Sequence, residues 1–184
     1  MGGGIYGSGF GVGIDPSDQV WVGAFGFGAS KVPLRGNGNS ISLFSKKGQP
    51  LSPDGSELPS RIPSGGFTQG DLLGIQGVVS DQQGNIWIAS FRDTKTTPSK
   101  VVLYPKGNPD HFVSYEHPKF SSPFDIAISA EGDAGVSYES GGRSGKGGIV
   151  QLTFDESDGI EAVNTFQSKQ FNVPFGIATG SDGS

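Results

Sequence analysis

The chain has 184 residues, 32 of them glycine, with no cysteine and a formal net charge of −5. Without cysteine there is no disulfide scaffold, thiol nucleophile or thiolate-ligated zinc; the acidic balance argues against generic nucleic-acid affinity, and no apolar run approaches the roughly 20 residues of a membrane-spanning helix. Glycine at more than twice its usual share of about 7% suits tight turns and closely approaching backbones.

One phrase occurs four times, in residues 12–25, 78–91, 126–140 and 174–184. Aligned on their turns, the copies place Asp18, Gly84, Gly132 and Gly183 in one column, at spacings of 66, 48 and 51 residues. Two of these spacings fit the roughly 40–50 residues of a four-stranded propeller blade. The first carries an insertion at 48–70.

In chain order, Val12 to Ile14 reads as a short apolar strand, followed by a turn and a second strand at Val20-Trp21-Val22. A polar loop leads to a third strand at Ser40 to Phe44. The next unit repeats this with Val78 and Val79, Ile86-Trp87-Ile88, Lys100 to Tyr104, and a weaker fourth strand at Phe112 to Tyr115. The third has Ile126 to Ile128, Ala134 to Tyr138, Gly148 to Phe154 and Ile160 to Phe166; Ile177 and Ala178 open a fourth unit. Period-two patterning with β-branched and aromatic residues supports strands throughout. Gly and Pro interrupt nearly every window of helical length.

The expected fold is therefore all-β: a single partial β-propeller of about three four-stranded antiparallel blades (8–70, 71–120 and 121–171) plus the first strand of another at 172–184. Three blades and a strand do not close a ring. The expectation is a piece of a longer propeller, with a ring closed by two or more copies as the alternative.

Pro174-Phe175-Gly176-Ile177-Ala178, the run from Asp81 to Ala89 and the run from Asn39 to Phe44 resemble the NHL-like and virginiamycin-B-lyase-like propellers of bacteria. The insertion, from Gly48-Gln49-Pro50 to Gly65-Gly66-Phe67-Thr68, is similar to an inter-strand segment of such repeats. The third unit departs from the pattern: Gly135 stands where Trp is expected and Asp125 where Gly is expected. The resemblance implies an extracytoplasmic parent and covers lyases, lactonases and pure binding platforms. It transfers no catalytic residue, because the lyase motif is not recognisable here.

Seven of the thirteen basic residues, against two acids, Asp93 and Glu139, fall in the loops expected between second and third strands: Lys31 and Arg35; Arg92, Lys95 and Lys100; Arg143 and Lys146. These loops share one face of a propeller. Such a face would attract a glycan, an anionic ligand or an acidic protein surface; the plainer reading is that long polar loops collect solvated charge. Asp125 is the candidate for the axial channel. It could contribute to a Ca²⁺ or Mg²⁺ site, which needs several oxygen ligands, or simply cap a turn. No cofactor is expected. His117 beside Glu116 could do acid–base work or form part of a solvated linker. Trp21, Trp87, Phe10, Phe124 and Phe175 are expected to pack between blades. The glycine runs at 7–13 and 23–28 precede no helix, which excludes a dinucleotide loop. The leading function is a non-catalytic binding scaffold. The alternatives are part of a metal-dependent propeller lyase or lactonase, or a structural array in a surface protein.

Overall fold

The computed structural model describes residues 9–25, 39–53, 65–116, 120–140, 147–168, 170–171 and 173–180. Within them the chain is all-β and forms three antiparallel sheets, each a meander of consecutive strands. The first contains β1 (Gly9–Ile14), β2 (Val20–Ala24) and β3 (Ile41–Phe44). The second contains β4 (Ile75–Ser80), β5 (Ile86–Ser90), β6 (Lys100–Tyr104) and β7 (Val113–Tyr115). The third contains β8 (Phe120–Ile128), β9 (Ala134–Ser140), β10 (Gly148–Asp155) and β11 (Gly159–Gln167). The only helical elements among the described residues are two 3-10 turns, Pro105–Gly107 and Pro109–His111. No helix there is long and apolar enough to cross a membrane.

The repeat column of the sequence is a column of backbone conformation. Asp18, Gly84 and Gly132 all have positive φ, at 60°, 80° and 95°. Each closes the same turn: the N–H of Asp18, Gly84 or Gly132 donates to the carbonyl three residues earlier, at 2.9–3.1 Å. A fourth copy, invisible in the repeat alignment, runs from Ser45 to Gln49 with Gly48 at φ 76°. Left-handed backbone favours glycine and tolerates Asp, whose short side chain bonds nearby backbone.

Among the described residues the first sheet has three strands, and the two ends of the insertion lie along β3. The Leu51 N–H donates to the Leu43 carbonyl at 2.8 Å, and Ile41 and Phe67 exchange both backbone bonds at 2.9 and 2.8 Å. Ser52 Oγ accepts the Leu43 N–H at 3.0 Å.

Register assigns every side chain to a face. In the first sheet Trp21, Ile41 and Leu43 face the second sheet, where Ile86, Ile88, Val102 and Tyr104 receive them. One unit later, Trp87, Ala89, Val101 and Leu103 face Val136, Val150 and Leu152 of the third sheet. Both indoles are sealed, at 1% and 0% exposure, as the sequence requires of inter-sheet packing residues. Burying each of these large side chains stabilises by a few kcal/mol.

The first strands of the three sheets, β1, β4 and β8, share an irregularity. Pairing shifts between Gly9 and Val12, between Ile75 and Val78, and between Pro123 and Ile126. The same bulge therefore precedes each turn and pushes out the pairs Phe10-Gly11, Gln76-Gly77 and Phe124-Asp125. Neighbouring bulges lie backbone against backbone: a Cβ on Gly11 would sit 2.3 Å from the Gln76 carbonyl oxygen, and one on Gly77 3.0 Å from that of Phe124.

Candidate functional site

The meander places the loops β2–β3, β5–β6 and β9–β10 at one end of all three sheets and the tight hairpin turns at the other. At the loop end, two of the basic candidates fall within the described residues and away from strands. Lys95 is exposed on a turn held by the Thr94 N–H to the Thr97 carbonyl at 2.8 Å. Arg92 is half-buried; its stem crosses Gly74, and its guanidinium carbon lies 4.4 Å from the centre of the Phe25 ring. This stacking holds the cation in place and leaves its N–H donors at the edges available. Lys31, Arg35, Arg143 and Lys146 lie outside the described residues, as does His117.

Lys100 does not belong to the basic face. It begins β6, its side chain is 7% exposed, and its Nζ lies 3.4 Å from Glu116. A buried ammonium needs a counter-charge, and Glu116 supplies it.

Asp125 borders a depression of about 390 Å³ between β1, β4 and β8, together with Phe10, Gln76, Val78 and Phe124. Its carboxylate is already engaged. Oδ1 accepts the Ile126 N–H at 2.9 Å, and Oδ2 accepts the Ile177 N–H at 3.3 Å. Ser137 Oγ accepts the Asp125 N–H at 3.1 Å and donates to the Phe175 carbonyl at 3.3 Å, while Thr179 Oγ1 donates to the Ile128 carbonyl at 3.0 Å. Asp125 thus departs from the glycine column to fasten segment 173–180 beside β8. Among the described residues, no three His, Cys, Asp or Glu side chains come together as a metal site.

The phenylalanine column behaves differently from the tryptophans. Phe10, Phe25, Phe91, Phe124 and Phe175 form a ladder across the sheets, with successive ring centres 5.4, 5.9, 5.7 and 4.5 Å apart. Its end members are not packed between sheets: Phe10 is 48% and Phe175 53% exposed. The second unit has Gln76 in this column, buried, with Oε1 lacking a hydrogen-bond partner.

Two features escaped the sequence reading. The first is an aspartate–indole clasp. Trp21 Nε1 donates to Asp15 Oδ2 at 3.0 Å and Trp87 Nε1 to Asp81 Oδ2 at 3.1 Å, while Oδ1 of each Asp accepts two turn amides. The signal was an Asp six residues before each Trp. The second is the charge of the turn end. Its hairpins carry Asp15, Asp18, Asp81, Asp110, Glu131 and Asp133, followed by Asp155, Glu156 and Asp158, against Lys46, Lys47 and Lys106. A groove of about 310 Å³ between the second and third sheets lies there, with Lys106 Nζ 2.7 Å from Glu156. Nearby, Ser157 donates to Asp155 through both hydroxyl and backbone and holds that carboxyl below the usual carboxylate range.

The chain matches no family model and no curated protein.

Proposed function

We propose that the three sheets are consecutive blades of an NHL-like β-propeller and that the chain is a binding scaffold, recognising an anionic glycan or an acidic protein surface through its loop end. Four features support the propeller reading: the meander order, the recurrent inner-strand bulge, the adjacent inner strands and the repeated indole seal. The binding reading rests on one observation, the division of charge between the two ends of the sheets. The turn hairpins are strongly acidic, whereas the loop end is mixed: Arg92 and Lys95 stand there with Asp71, Asp93 and Glu139, and the basic excess comes from Lys31, Arg35, Arg143 and Lys146, which the sequence assigns to the same loops. Opposed ends of opposite charge steer an anion to one face and repel it from the other.

The test is titration with a sulfated polysaccharide at low and physiological salt. Binding should weaken as salt rises. Combined Lys95→Glu, Arg143→Glu and Lys146→Glu should reduce it at least about tenfold, while Asp158→Lys at the turn end leaves loop-end binding in place. Absence of binding by the parent chain at low salt, or an unaffected triple variant, overturns the reading.

A further inference from the structure

The bulges of β1, β4 and β8 set one residue pair of each repeat in the same place: Phe10-Gly11, Gln76-Gly77 and Phe124-Asp125, with Phe175-Gly176 as the fourth copy in the sequence. They lie toward the loop end, because Gly9 pairs with Ala24, Ile75 with Ser90 and Phe120 with Ser140, where the loops to the third strands begin. The repeat departs from its own Phe-Gly pattern at two positions, Gln76 and Asp125. Both line the depression of about 390 Å³ between β1, β4 and β8. The side chains beside them there are apolar, from Phe10, Val12, Val78 and Phe124. A volume of this size, a mostly apolar wall and two polar groups are the make-up of a small-molecule site.

Packing alone does not account for Gln76. The residue is 5% exposed, and its Oε1 has no hydrogen-bond partner. A buried amide left unpaired lowers stability, and phenylalanine, which the repeat carries elsewhere in this column, avoids that penalty. The last torsion of a glutamine is broad, so the amide can turn its carbonyl or its N–H groups toward the depression. Asp125 adds acceptors. Its Oδ1 and Oδ2 each accept one backbone N–H, from Ile126 and Ile177, and each oxygen can accept one more. Amide and carboxylate together match two adjacent hydroxyls, and the phenyl and valine side chains match an uncharged C–H surface. A cation is disfavoured, because Arg92 lies 4.4 Å from the centre of the Phe25 ring, itself 5.4 Å from that of Phe10.

We infer that the depression between β1, β4 and β8 is a subsite for one uncharged pyranose unit, with Gln76 and Asp125 holding neighbouring hydroxyls and Phe10 and Phe124 flanking the C–H surface of the sugar ring. The inference rests on the glycan form of the loop-end reading and deepens it: the basic loops attract the anionic groups of a glycan chain, and the depression selects the sugar.

The test titrates the chain with the methyl glycosides of glucose, galactose and mannose at physiological salt, followed by amide NMR. At least one should bind saturably and shift the Gln76 side-chain amide together with the Gly11 and Gly77 N–H signals. Gln76→Met keeps the length of the side chain and removes its donors and acceptor. Affinity should fall at least about fivefold, while the urea midpoint holds or rises. The probes are uncharged, so combined Lys95→Glu, Arg143→Glu and Lys146→Glu should leave them bound. Glycoside binding without polysaccharide binding supports the subsite and overturns only the charged-face reading. Failure of all three glycosides, or shifts confined to residues away from the depression, overturns the subsite even where the sulfated polysaccharide binds. Undiminished binding by Gln76→Met overturns it too, as does loss of binding in the triple variant. A lower midpoint in Gln76→Met would mean that the amide is held by solvent within the fold, which also overturns the inference. Binding of tetramethylammonium in place of the glycosides overturns the uncharged ligand.

Discussion

At the residue scale, the turn column and the indole clasp give two opposed expectations. Asp18 occupies a left-handed position that its counterparts fill with glycine, and its ion pair with Lys46 is long, at 3.8 Å, and exposed on both sides. An exposed pair of that kind contributes little, whereas a left-handed non-glycine residue carries about 1 kcal/mol of strain. Asp18→Gly is therefore expected to leave stability unchanged or raise it by up to about 1 kcal/mol, measured as the urea midpoint. Asp81 is different. Its Oδ2 accepts both Trp87 Nε1 and Asn85 Nδ2, at 3.1 and 2.8 Å, in a buried position. Asp81→Asn keeps the shape but turns N–H donors toward two donors, and the expected cost is about 2–3 kcal/mol. Asp15→Asn, in the half-buried copy of the clasp, should cost less than half as much. Equal losses at the two positions would mean that the clasp matters through the turn amides alone.

At the scale of elements, the contact between inner strands sets the price of a side chain in the bulge. Gly11 and Gly176 share a repeat column. A Cβ on Gly11 meets the backbone of Gln76 at 2.3 Å, while one on Gly176 meets nothing within 4 Å. Gly11→Ala should destabilise by about 1–3 kcal/mol through forced backbone shifts, and Gly176→Ala should stay within about 0.5 kcal/mol. Thermal unfolding of the two variants checks this, and a neutral Gly11→Ala would mean that β1 and β4 do not touch. Most of the strand order was legible in the sequence because period-two patterning and turn glycines are local signals. Three features were not legible, because each depends on partners distant in sequence. Lys100 looked like a loop cation, although it opens the predicted third strand, because its partner Glu116 is brought alongside only by the β6–β7 register. The insertion looked like an excursion because its pairing with Ile41 and Leu43 leaves no periodic trace. Asp125 looked like an orphan in a glycine column because its Oδ2 partner, the Ile177 N–H, lies 52 positions away.

Across the whole molecule, the repeat distributes its polar atoms so that aromatic side chains seal each interface, and this makes the fold sensitive to alkali. Tyr104 is fully buried in the first inter-sheet core, beside Trp21, and its hydroxyl donates to the Gln69 carbonyl at 2.8 Å. Desolvation raises its phenol well above the usual tyrosine range; Tyr115 is raised in the same direction, first by desolvation and then by the proximity of Tyr138. The folded chain therefore keeps protons that the unfolded chain releases near pH 10. Stability from these groups is fully present below that pH and is lost as the pH climbs from about 10 toward the folded-state values. The urea midpoint should hold steady from pH 8 to about 9.5 and then fall. In Tyr104→Phe the starting midpoint drops, because the Gln69 carbonyl loses its donor, but the alkaline slope becomes shallower because the unfolded chain has one fewer phenol to ionise. An unchanged slope in Tyr104→Phe would mean that this phenol does not drive the alkaline loss. A phenol titrating at its ordinary pH in the folded chain, followed by ultraviolet difference absorbance, would mean that water reaches the seam between the first and second sheets.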